Sequence, residues 1–105
     1  MLVRDGRIVS VGGAESSSDS VVDLAGQHLY PGLIAPSTVL GLIEIDGVRA
    51  TRDTTEVGEF TPEVQAWLAV NPDSELIPVA RAGGYTHVQV EPLGGTVSGV
   101  SGVIQ

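Results

Sequence analysis

The stretch Leu29-Tyr30-Pro31-Gly32-Leu33-Ile34-Ala35-Pro36-Ser37-Thr38-Val39 constrains the fold most strongly. Proline fixes its own φ and drives the preceding Tyr30 to extended geometry. Gly32 supplies the freedom for a sharp change of direction. The apolar residues on both sides therefore read as two strands meeting at a corner.

The pattern before this corner is all β. Residues 2–4 and 8–11 flank Asp5-Gly6, a dipeptide suited to a type I′ hairpin turn because both central residues need positive φ. Residues 14–20, with Ser16-Ser17-Ser18, read as a polar loop. Residues 21–24 and 27–30 read as two further strands turning at Ala25-Gly26, so a small four-stranded antiparallel sheet is expected.

Beyond the corner the pattern becomes mixed. Residues 39–45 are rich in branched apolar side chains and predict a strand, closed by Asp46-Gly47. Residues 48–60 read as a long loop. Thr61-Pro62-Glu63 reads as a helix start, with Thr61 as N-cap, Val64, Trp67 and Leu68 on one face, and an end at Asn71-Pro72. A second helix is expected over residues 73–82, with Pro78 in its early turns and Gly83-Gly84 as its stop. Residues 86–91 alternate polar and apolar as a half-buried strand does. A glycine- and serine-rich loop over 94–102 leads into a final strand at Val103.

The segment VVDLAGQHLYPGLIAPSTVLGL, residues 21–42, resembles the junction in the imidazolonepropionase-like branch of the amidohydrolase superfamily. In that family a β-sandwich hands the chain to the first strand of a (β/α)8 barrel. The glycine loop is similar to the family's Gly-Gly-x-x-Ser-Gly-x-Ser segment. The resemblance implies a mixed α/β fold in which residues 1–31 are part of an N-terminal β-sandwich. Residues 32–105 would then be the first β/α segments of an incomplete barrel. A whole barrel takes roughly 250 residues and this chain has 105, so it corresponds to about the first quarter of a family member, ending within an apolar run.

The family's activity is hydrolysis of C–N bonds in cyclic amides and related substrates by metal-activated water. Its motif after Pro-Gly-Leu-Ile is Asp-x-His-x-His, with both histidines as metal ligands. Those positions are Ala35, Ser37 and Val39 here. The resemblance thus implies a hydrolase frame with its metal motif lost, no zinc in this chain and no catalysis by it alone. A parent enzyme retaining an altered metal site would need a ligand from elsewhere, because valine has none to give.

The remaining side chains propose no other chemistry. His28 and His87 lie far apart, each inside an expected strand, and zinc hydrolysis needs about three protein ligands. Ser37 and Thr38 stand at a strand end, but no base is near them in sequence. The glycine loop lacks the lysine ending of a phosphate-binding loop. Glu44, Asp46, Asp53, Glu56 and Glu59 match no calcium-loop spacing. There is no cysteine, and the net charge of −8 argues against nucleic acid. No apolar run reaches a membrane span, so a cytoplasmic chain is expected. An incomplete barrel exposes strand edges, and these make a stand-alone, non-enzymatic homo-oligomer the alternative to a hydrolase segment.

Overall fold

A computed structural model describes residues 1–12 and 20–105. Two separate sheets organise them. Strands β1 (Leu2–Arg4) and β2 (Arg7–Ser10) form an antiparallel hairpin. Asp5 and Gly6 both have positive φ, 51° and 72°, as the Asp-Gly pair required. The second sheet has the order β3–β4–β5, with β3 (Leu33–Thr38) parallel to β4 (Tyr85–Val90) and β5 (Gly102–Ile104) antiparallel to β4. Helix α1 (Leu76–Ala82) immediately precedes β4, so β3, α1 and β4 make one β/α unit within a mixed α/β fold.

The four-stranded N-terminal sheet is not formed. Ala25 and Gly26 do make the expected turn, with φ of 49° and 83° and a hydrogen bond from the Gln27 amide to the Leu24 carbonyl. Their arms, 21–24 and 27–30, form no strand among the described residues. A two-stranded ribbon without a packed face is marginal in water, and both arms are exposed here. The polar loop expected over 14–20 lies, as far as residue 19, outside the described residues.

Residues 39–45 are a tight turn rather than a strand. Leu40 and Ile43 bridge each other around Gly41, whose φ is +76°. The turn drives Leu42 into the centre of the molecule, where it is 1% exposed. Leu42, Ala66, Val88 and Val90 are the buried core, with Ala35, Val39, Trp67, Val70 and Ile104 packed around them.

The helix expected from Thr61 is reduced to a 3₁₀ turn, Ala66–Ala69. Its backbone donors go elsewhere. The Ala66 amide donates to the Val100 carbonyl, and the Val100 amide to the Val64 carbonyl. Thr61 does not cap: its hydroxyl donates to the Val97 carbonyl at 3.1 Å. The glycine loop is thus zipped along residues 59–66, and tertiary hydrogen bonds override a local helix signal. Gly99 makes this approach feasible. It has φ of +119°, and a Cβ there would lie 2.5 Å from the Val64 carbonyl oxygen.

The second helix forms, shortened to Leu76–Ala82. Pro78 is harmless because the amides of the first turn have no helical partner to lose. The Ser74 hydroxyl accepts from the Leu76 amide at 3.3 Å and donates to Glu44 Oε2 at 3.0 Å. Gly32, unlike the turn glycines, has no positive φ; its lack of a side chain makes room for Thr86 on β4.

Candidate functional site

Open sheets place ligands at the carboxyl ends of parallel strands, and in this chain that means the ends of β3 and β4. Their register pairs Ala35 with Val88 and Thr38 with Val90, and it is irregular across Pro36 and Ser37. Proline has no amide to give a ladder, so the strand is locally released there. Below the release Ala35 packs on the core; beyond it so does Val39. Ser37 is exposed.

Ser37 is not without a partner. Its hydroxyl donates to Glu91 Oε1 at 2.5 Å. The backbone holds this pair in place: the Glu91 amide donates to the Thr38 carbonyl at 3.1 Å, and the Leu40 amide to Thr38 Oγ1 at 3.1 Å. The structure therefore supplies the carboxylate that sequence neighbours did not. Glu91 was visible only as the end of a strand, and its pairing with Ser37 depends on the parallel register of two strands 54 positions apart. Beside the pair lies a shallow depression of about 210 Å³, lined by Ala35, Ser37, Thr38, Leu40, Ala80, Tyr85 and Val88. It is smaller than the usual small-molecule pocket. Serine and carboxylate can orient a water or a hydrogen-bond donor here. Because the bond is solvent-exposed, Ser37→Ala is expected to cost no more than about 1 kcal/mol in urea unfolding.

The donor set does not fit a hydrolytic metal. Ala35 and Val39 carry no ligand atom, and no group of three or more His, Cys, Asp or Glu gathers among the described residues. His87 Nδ1 lies 3.0 Å from Thr86 Oγ1, and His28 stacks loosely at 6.2 Å from Tyr30. The acids of residues 44–59 do not converge either. Glu44 is a brace that accepts from Asn71 Nδ2 at 3.3 Å and from Ser74, while Asp46 pairs with Arg52 at 3.8 Å. Among the described residues no helix is long and apolar enough to cross a membrane.

No protein-family model matches the sequence, and no curated protein matches it. A solved structure does: the crystal structure of an amidohydrolase from Thermotoga maritima, with a TM-score of 0.87 and 34% identity over 99% of this chain. The match occupies 28% of that protein. The chain thus shares the fold and a third of the sequence of one segment of an amidohydrolase, and spans little more than a quarter of its length.

Proposed function

We propose that this chain is the amino-terminal segment of an amidohydrolase-superfamily protein of the imidazolonepropionase-like branch. Residues 1–31 would contribute to its β-sandwich and residues 32–105 to the start of its barrel. The parent reaction is metal-dependent hydrolysis of a C–N bond in a cyclic amide or related substrate. In this chain Ala35, Ser37 and Val39 stand at the metal-motif positions, so the segment alone holds no catalytic metal and hydrolyses nothing. The observation that carries the reading is the 34% identity to the amidohydrolase over nearly the whole chain. The missing donor atoms at residues 35 and 39 support the inactive assignment.

Equilibrium dialysis against zinc tests the metal part. Less than about a tenth of an equivalent should be retained per chain, since a hydrolytic zinc requires about three protein ligands. One equivalent retained at micromolar free zinc would refute the loss of the site.

A further inference from the structure

We infer that Asp46-Gly47 is a self-modification site, at which the chain moves its own peptide link from the main-chain carbonyl of Asp46 to the side-chain carboxyl by way of a cyclic imide. The sequence holds two Asp-Gly pairs, Asp5-Gly6 and Asp46-Gly47, and the structure treats them differently. In the hairpin both residues have positive φ, so glycine is there for its conformational freedom. Gly47 has no such reason. Its φ is not positive, and a Cβ built on it would meet nothing within 4 Å. Neither turn geometry nor a close approach demands glycine here. What the missing side chain does provide is an unshielded amide nitrogen directly after an aspartate.

That nitrogen is free to react. The turn over residues 45–48 is closed by the Val48 amide donating to the Ile45 carbonyl at 2.9 Å. The Thr51 hydroxyl pins both flanks. It accepts from the Ile45 amide at 3.1 Å, and the carbonyl oxygens of Ile45 and Val48 lie 3.0 and 2.9 Å from it as acceptors. Between these flanks the Gly47 amide makes no hydrogen bond among the described residues. The Asp46 side chain is 86% exposed, and its ion pair with Arg52 at 3.8 Å is of the exposed kind that restrains little. Asp5 is held more firmly. Arg4 pairs with Arg7 and Val3 with Ile8 on either side of it, and ring closure there must rotate the backbone out of the hairpin turn.

The reaction needs only Asp46, Gly47 and water. The Gly47 nitrogen bonds to Asp46 Cγ and loses its proton, and one carboxyl oxygen leaves as water. The reacting atoms belong to adjacent residues, so closure has the advantage of an intramolecular step. Water then adds to one of the two imide carbonyls. Opening at Cγ restores the original chain. Opening at the main-chain carbonyl leaves the chain running through Cβ and Cγ, with a free carboxylate on Cα. One water is released and one consumed, so mass and charge are unchanged. The product carries one extra backbone atom between Ile45 and Val48. The Thr51 hydroxyl can then no longer hold both flanks, which loosens the loop that ends where the Asp53 amide donates to the Leu42 carbonyl at 2.7 Å. The hydrolase reading plays no part in this inference.

Incubation of the 105-residue chain at neutral pH and 37 °C tests it, followed by digestion with a protease that cuts before α-linked aspartate and by mass spectrometry. Fragments uncut at residue 46 should accumulate with time, together with a species lighter by one water. In Gly47→Ala they should accumulate about tenfold more slowly, because the added methyl group shields the nitrogen and raises the barrier. The stability of that variant should be unchanged or slightly raised. Should it unfold, the wild type decides by itself: fragments uncut at residue 5 should accumulate about tenfold more slowly than those uncut at residue 46. The isomerised chain, once separated, should exchange its Asp53 amide faster than the parent chain. Complete cleavage at residue 46 after four weeks would overturn the inference, and so would equal rates in the folded Gly47→Ala variant or equal rates at residues 5 and 46.

Discussion

Gly99→Ala is expected to destabilise the chain by about 3 kcal/mol, and in urea this lowers the unfolding midpoint by roughly 2 M. Two costs combine. A φ of +119° lies where L-residues hardly go. The added Cβ would also meet the Val64 carbonyl oxygen at 2.5 Å, and that oxygen accepts the Val100 amide at 2.7 Å. The methyl group must therefore push apart the two segments that the glycine loop joins. Gly47→Ala is the control: its φ is not positive and nothing lies within 4 Å. Alanine there should be neutral or slightly stabilising. Trp67 emission reports on both, because Trp67 packs beside Gly102 at the end of the same loop. Equal midpoints for the two variants would show that the loop is not zipped to residues 59–66.

Leu42→Ala is expected to cost about 3 kcal/mol through lost transfer energy and the cavity left behind. Among the described residues the core that surrounds Leu42 has three other buried apolar residues, so it has few side chains able to relax into the space. The Leu42 backbone also fixes the turn, with its amide donating to Val39 and its carbonyl accepting from Asp53 at 2.7 Å. These bonds survive the substitution, so the loss should appear in the unfolding midpoint with the fold retained. Val57→Ala, at a side chain 98% exposed, should change the midpoint by less than about 0.5 kcal/mol. A similar loss at both positions would contradict the placement of the core.

The contrast between the turns and the first helix shows what the residues disclose on their own. Asp5-Gly6 and Ala25-Gly26 were legible because positive φ is a local demand that few residues meet. The short helix before β4 and the alternation of β4 were legible for the same reason, since each pattern closes within a few residues. The signal at Thr61-Pro62-Glu63 was equally local, yet the donors that a helix would use are taken by Val97 and Val100, more than thirty positions away. Residues 39–45 failed in the same way. Their branched side chains suit a strand, but burial of Leu42 requires the turn at Gly41. That the glycine loop lacks a phosphate-binding ending was legible in the sequence; that residues 59–66 lie against it and use its backbone groups was not, because those partners are more than thirty positions away.

The candidate site divides similarly. The Pro-Gly corner and the residues at 35, 37 and 39 could be read directly, and so could the absence of ligand atoms at two of them. The bond between Ser37 and Glu91 could not, because it depends on which strand lies beside β3 and in what register. Gly32 was noticed for a different reason from the one that makes it necessary: it accommodates Thr86 across the strand pair rather than turning the chain with a positive φ.

Hydrolysis of a cyclic amide by the zinc-supplemented chain, with and without EDTA, tests whether this segment has lost its metal chemistry. No turnover above the buffer rate is expected in either condition, since the side chains of residues 35 and 39 offer a metal nothing to bind. Turnover that zinc supports and EDTA abolishes would contradict it, and would require a metal site built from residues other than those at the end of β3.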